Sequence, residues 1–295
     1  MVPLGSHRRH LGVVLPLLTY FCVLAFWILS APAGRLFDVV TVEAAVKLLL
    51  WGGICLAATM AMRRATFMSA LSVLGLNGRG IKGVILSAAA TTPMAIAALA
   101  SLGRPDADLI AGNAVVGPLA EELLFRGFLF GSLVSVAGWR LSAAVATSAL
   151  VFGLAHIRDA DMVLATFTRG GHVLDYGVAT SGNDVLWIGA GSDVWWQFLS
   201  TRVPELLIVA VPLACGGAVL AWITWRWGSL WPAIALHGFM NLWWDLARSS
   251  GSGLFPVAQI LTMVLVVVLT AWATKRPASR PRAPGNAGTR APVYL

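Results

Sequence analysis

The sequence predicts an all-α polytopic membrane protein, with about eight transmembrane helices around an intramembrane polar cavity. Three observations carry that prediction. The 295 residues are 58% hydrophobic and 12% charged, whereas a soluble domain carries about 25% charged residues; the mean hydropathy is +0.79. Apolar runs of about 17–25 residues, the length that spans a bilayer, recur along the chain. Carboxylates, imidazoles and an amide interrupt three of those runs, where an ionisable group at the bilayer centre costs roughly 2.5–3.5 kcal/mol on insertion scales.

The runs fall at 11–30, 42–62, 81–102, 109–136, 140–157, 203–225, 229–247 and 255–273. The first follows His7-Arg8-Arg9-His10 and precedes Ala31-Pro32-Ala33, the outline of a signal peptide. At about 19 residues it is longer than a usual h-region, so a retained helix is expected. Residues 1–106 thus form an N-terminal unit of three helices. A core over 107–247, including the exposed loop 158–202, supplies helices four to seven, 248–274 hold the last helix, and 275–295 form a Pro-, Arg-, Gly- and Ala-rich tail expected to be disordered. Trp27, Trp139, Trp225, Trp227, Trp231 and Trp272 lie near proposed helix ends, where indole suits the membrane interface. No internal repeat is evident.

The connection over 158–202 is the longest. Asp159 to Thr168 reads as a short interfacial helix. Val173-Leu174-Asp175-Tyr176 and Val185-Leu186-Trp187-Ile188 flank Thr180 to Asp184 as a hairpin would, making an ordered cap.

Cys22, Cys55 and Cys215 all fall in apolar segments without a CxxC pair or a neighbouring base, which argues against a disulfide scaffold or a thiol nucleophile. The net charge of +8 comes from Lys and Arg at segment ends and in the tail, so it reports orientation and not a nucleic-acid partner. With the N-terminus inside, thirteen basic residues fall on the cytoplasmic side and six outside; Lys47 and Arg126 lie within helices. Both termini are therefore expected in the cytoplasm, in a bacterial-type plasma membrane.

The chemistry concentrates at Glu121-Glu122-Leu123-Leu124-Phe125-Arg126. Glu122 and Arg126 are four apart with the acid first, the favourable order for a helical ion pair. Glu121 is turned about 100° away and has no local partner, which makes it the candidate general base. Pro118 removes one helical donor and frees the Ala114 carbonyl, bending the helix near Glu121. The fifth run ends in Phe152 to His156, and the seventh carries His237 and Asn241 on one face. Intramembrane His and Asn also serve as interhelical glue, but a carboxylate, two imidazoles and an amide on three helices supply the parts to activate a water and stabilise an oxyanion.

These residues spell EExxxR, FxxxH and HxxxN/D in order, and over about Ala107 to Asp245 the chain resembles the CAAX prenyl protease and bacteriocin-processing family of intramembrane proteases, also called the Abi family. The resemblance implies that Glu121 with His156 activates a water, that His237 and Asn241 hold the oxyanion, and that Glu122 with Arg126 locks the motif helix. It implies a protein or peptide substrate with a hydrophobic or lipidated segment, reached through the membrane lipid. A zinc ion held by Glu121, His156 and His237 is a second way to use the same residues; there is no HExxH, and metal-independent chemistry is preferred. Two rival functions stand: a non-catalytic immunity or scaffold protein of the same fold, which loss of a motif residue would favour, and a proton-coupled transporter, which inverted repeats would favour. With the predicted topology, at 1.5 Å per residue, His237 lies roughly 12 Å and Asn241 roughly 18 Å from the cytoplasmic edge, and Glu121 roughly 18 Å below the outer edge. The site therefore faces the outer half, and its substrate is expected to be an exported protein.

Overall fold

The computed structural model describes residues 4–30, 40–99, 107–156, 203–247 and 254–275. The expected cap over 158–202, the small-residue stretch at Ala31-Pro32-Ala33 and nearly all of the tail lie outside the described residues. Among the described residues all regular structure is helical: α1 (Leu4–Ser30), α2 (Val40–Arg63), α3 (Phe67–Val73), α4 (Ile81–Ala90), α5 (Thr92–Leu99), a composite α6 (Ala107 to Ser135), α7 (Leu141–Ala155), α8 (Val203–Trp227), α9 (Trp231–Ala247) and α10 (Phe255–Ala273). By length and apolarity α2 and α10 each suffice to cross a membrane, and α4 with α5 adds a third if that bent pair is one span. Helices α7 and α9, at 15 and 17 residues, are shorter than the about 20 that a spanning helix usually needs. The chain is a helical membrane protein.

Two of the expected spans are not simple helices. The run at 81–102 is broken at Thr91, where α4 and α5 meet at 41°. Pro93 is the cause. It has no N–H to give the Ala89 carbonyl, which accepts instead from the Thr92 hydroxyl at 2.6 Å. The Trp243 indole N–H of α9 donates to the Thr91 hydroxyl at 3.0 Å and ties the bend to the core helices.

The run at 109–136 is helical throughout, but its pitch changes. Ala107–Leu109, Gly117–Glu122 and Gly131–Ser135 are α-helical, whereas Ile110–Val116 and Leu123–Phe130 are π-helical. Wider turns displace side chains from α-helical register and are frequent at functional sites. They also turn backbone groups toward neighbouring helices. The Phe125 carbonyl accepts from the Ser148 hydroxyl of α7 at 2.9 Å, and the Asn113 carbonyl accepts from Asn241 of α9 at 2.9 Å. The carbonyl of Ala114, four before Pro118, faces Gly238 of α9 so closely that a Cβ there would lie 2.4 Å from its oxygen. Only glycine permits that approach, which seats α9 against the turn leading into Glu121.

Helix α2 crosses α6, α7 packs on α8, and α9 packs on α4. An edge-to-face series joins α1 to the site: Phe26 to Trp51 at 5.5 Å, Trp51 to Phe125 at 6.5 Å, and Phe125 to Phe152 at 5.1 Å. Asp108, from the start of α6, accepts the Val40 N–H at 2.7 Å and the Thr41 N–H at 3.1 Å, while the Thr41 hydroxyl donates to the Asp108 carbonyl at 3.0 Å. Two helix ends are thereby joined by donors that a helix N-terminus otherwise leaves unsatisfied.

Replacing Asp108 with Ala is expected to lower the Tm of the detergent-purified protein. Asp108→Asn should fall between the Ala variant and the wild type, since its single amide oxygen can accept only one of those two N–H bonds while its NH2 faces the other. Equal Tm values for Asp108→Ala and the wild type would show that the junction carries no stability.

Candidate active site

The site starts from a charge pair with no water around it. Arg126 and Glu122 are both fully buried, and Arg126 Nη1 donates to Glu122 Oε1 at 3.0 Å. Taking two such charges out of water is costly, and only close geometry with further partners offsets it. The further partners are present. Nη2 donates to the Gly217 carbonyl of α8 at 3.3 Å, and the guanidinium stacks 4.0 Å above the Phe152 ring of α7. A Cβ at Gly217 would come within 3.1 Å of both Nη2 and the Phe152 ring, so any larger residue would crowd this seat. Phe152 thus supports Arg126 as well as the site.

Glu122 takes a second partner that spacing alone did not indicate. His237 Nδ1 lies 2.9 Å from Glu122 Oε1. A carboxylate paired with Arg126 accepts, so Nδ1 donates. His156 ends α7 with its own Nδ1 2.8 Å from the Phe152 carbonyl, which can only accept. Both imidazoles therefore carry their proton on Nδ1 and turn Nε2 the other way. Both Nε2 atoms face Glu121 Oε2, from His156 at 3.5 Å and from His237 at 3.9 Å.

The expectation that Glu121 stands without a partner is corrected here. Its own helix gives it none, but α7 and α9 each bring an imidazole to Oε2, and Lys47 of α2 brings an ammonium to within 4.0 Å of Oε1. Lys47 in turn pairs with Glu43 at 3.5 Å, and its ammonium lies 5.6 Å from the Phe26 ring centre and 5.8 Å from that of Trp51. With neutral imidazoles the cluster Glu43, Lys47, Glu121, Glu122 and Arg126 holds three anions and two cations. One proton shared by the imidazoles would neutralise it.

Asn241 sits one turn beyond His237, as its spacing predicts, and spends one amide hydrogen on the Asn113 carbonyl. The structure thus brings Glu121, His156 and His237 around one oxygen, while Asn241 locks α9 onto the π-helical turn of α6. Sequence reasoning noted Lys47 only as a basic residue inside a helix. Its signal was available, since an intramembrane lysine four residues after a glutamate needs a polar neighbour. Gly217, Gly238 and the Asn113 carbonyl had no such signal, because their roles arise from contacts between distant helices.

Glu121, His156 and His237 are also the donors a zinc ion would use, and each Nδ1 is anchored as second-shell partners anchor metal ligands. However, no group of three His, Cys, Asp or Glu side chains among the described residues is arranged to hold a metal ion. The Lys47 ammonium beside the same carboxylate is also a poor neighbour for a dication in a low dielectric. The residues do not fit a preformed zinc site.

Residues 107–243 match the family model described as Rce1-like, type II CAAX prenyl endopeptidase Rce1-like. The matched stretch, a little under half of the chain, contains all three motifs. No curated protein and no solved structure matches the chain.

Arg126→Ala leaves Glu122 buried with one partner removed, which is expected to cost about 3–5 kcal/mol and to deplete folded protein. Changing both Glu122 and Arg126 to Leu should recover the fold better than Arg126→Ala does, yet leave His237 without its anchor and the protein inactive. Folded yield, Tm and cleavage rate measured together test this. Abundant, thermally normal Arg126→Ala protein lacking activity would move Arg126 from architecture into the chemistry.

Proposed function

We propose, from the match of residues 107–243 to the Rce1-like family model, that this membrane protein is an intramembrane endopeptidase cleaving a peptide beside a hydrophobic or lipidated segment. The observation that carries this reading is the meeting of Glu121 Oε2 with the Nε2 atoms of His156 and His237, at 3.5 and 3.9 Å. Gaps of that size are too long for good direct hydrogen bonds; in this reading the attacking water sits beside the three atoms and contacts each of them.

In the proposed reaction Glu121 takes a proton from that water while the water oxygen attacks the carbonyl carbon of the scissile peptide. His156 Nε2 accepts the water's other hydrogen bond and aims its lone pair. The carbonyl π electrons move onto oxygen, and the resulting oxyanion accepts from the second amide hydrogen of Asn241 and from the Nε2–H of His237, which enters the cycle as the imidazolium, carrying the one proton that neutralises the cluster, and keeps that proton throughout. Collapse reforms the carbonyl and breaks the C–N bond. The proton held by Glu121 passes to the leaving nitrogen, so one water is consumed and a carboxylic acid and an amine are released. In this scheme Glu122, Arg126 and Phe152 do no chemistry; they fix the tautomer of His237 and the rotation of the motif helix.

In the same reading the ten described helices cross a plasma membrane as eight spans. Helices α4 and α5 count as one and α3 lies outside them, both termini are cytoplasmic, and Glu121 faces a polar cavity open toward the outer half. The substrate is then an exported protein or peptide with a hydrophobic tail, received laterally from the lipid.

Glu121→Gln keeps shape and hydrogen bonding but not basicity, so cleavage should fall by about 10²- to 10⁴-fold at near-normal protein level. The assay uses reconstituted protein with quenched peptides bearing either a prenylated CAAX end or an unmodified apolar tail. Near-wild-type cleavage by Glu121→Gln would remove it from the mechanism.

Orientation has its own test. In a variant lacking native cysteines, Ser181→Cys should react with an impermeant maleimide in intact cells and Ser279→Cys should not. The reverse pattern would invert the topology and end the exported-substrate reading.

A further inference from the structure

Two charged clusters lie inside the bundle, and they differ in exposure. The Glu122–Arg126 pair is sealed, with both side chains at 0% exposure. Glu43, Lys47 and Glu121 are not: their side chains are 26%, 15% and 15% exposed, and that of His156 is 19% exposed. The first pair has the character of architecture; the second set remains open along its length.

The open set is also ordered in space. Glu43 lies one turn from the start of α2 at Val40, Lys47 follows one turn later, and Glu121 comes next across the helix interface. The separations, 3.5 Å from Glu43 to Lys47 and 4.0 Å from Lys47 to Glu121, are those of loose ion pairs, longer than tight charge-assisted hydrogen bonds, so the three side chains are in reach of one another without being locked together. The lipid-compatible side of α2 is a different one, formed by the exposed Val42, Val46 and Leu49. Glu43 and Lys47 sit on the flank between that face and the buried Ala44, Trp51 and Cys55. Lys47 approaches Oε1 of Glu121, leaving Oε2 to the imidazoles.

We propose that Glu43 and Lys47 form a polar ladder that carries water from the end of the bundle where α2 begins to Glu121, and that Lys47 positions the Glu121 carboxylate by holding Oε1. This rests on the hydrolytic reading, since a hydrolase inside lipid must be supplied with water. Neither residue falls within the stretch that matches the protease family.

The test uses a variant with Cys22, Cys55 and Cys215 replaced, reconstituted into vesicles. Single cysteines at Glu43, Lys47 and, as a lipid-facing control, Val46 are exposed to charged, water-borne methanethiosulfonates. Glu43→Cys and Lys47→Cys should react at least about tenfold faster than Val46→Cys, since access sets thiol reactivity here. Lys47→Met should lower kcat by about 10- to 100-fold with KM within about threefold, and Lys47→Arg should restore most of the rate. Aminoethylation of Lys47→Cys, which returns a positive charge, should raise its rate; the anionic sulfonatoethyl adduct should not. That rescue decides the positioning role even if Lys47→Met folds poorly.

Equal reactivity at the three cysteines, or a wild-type kcat in Lys47→Met, overturns the proposal. Cleavage by a protein whose cysteines at 43 and 47 are unreactive removes the ladder and leaves the hydrolase. Fast labelling in a wild-type background that cleaves neither peptide removes the hydrolase and leaves a water-filled track.

Discussion

The buried Glu122–Arg126 pair is the constraint on which the rest of the structure depends. It joins α6 to itself through one turn, to α8 through the Gly217 carbonyl, to α7 through the Phe152 ring, and to α9 through His237. An isolated pair of this kind is a liability in an apolar interior, because desolvation opposes the Coulombic gain. Here the contacts that offset the cost come from three other helices, while Glu122 Oε2 and Arg126 Nε are left without a hydrogen-bond partner among the described residues. The same contacts that satisfy the charges set the proton on His237 Nδ1 and point Nε2 at Glu121.

Glu121 and Glu122 are neighbours with opposite environments, and the helix makes the difference. Rotation between successive residues sends one carboxylate into the sealed layer with Arg126 and the other toward the imidazoles and Lys47. The π-helical turns on either side let α6 offer backbone carbonyls to α7 and α9 without leaving the helical path. Helix α9 exploits this twice within one turn, through Gly238 at the Ala114 carbonyl and Asn241 at the Asn113 carbonyl.

Much of this was legible in the sequence because it is local. The Glu122–Arg126 pairing follows from spacing, the placing of His237 and Asn241 on one face follows from helical period, and the helical class follows from composition. The partners of Glu121 were legible only as a set of motif residues, because their meeting depends on how three helices cross. Lys47 was visible as an unexplained intramembrane charge, but its neighbour lies more than seventy positions away. The break at Thr91 could have been read from Pro93, yet the apolar run continues through it and masks the interruption. Pitch changes in α6 leave no compositional trace, since the residues of π and α turns are the same types.

The junction between Asp108 and the start of α2 has a consequence for biogenesis. Helix α2 emerges from the ribosome well before residue 108, so its first amide groups wait for a partner not yet made. Until α6 arrives, that end of α2 is free to fray, and Glu43 and Lys47 lie within two turns of it. Ordering of the N-terminal helices is therefore coupled to synthesis of the segment that carries the motif, and a nascent chain halted before it has no native cap for α2.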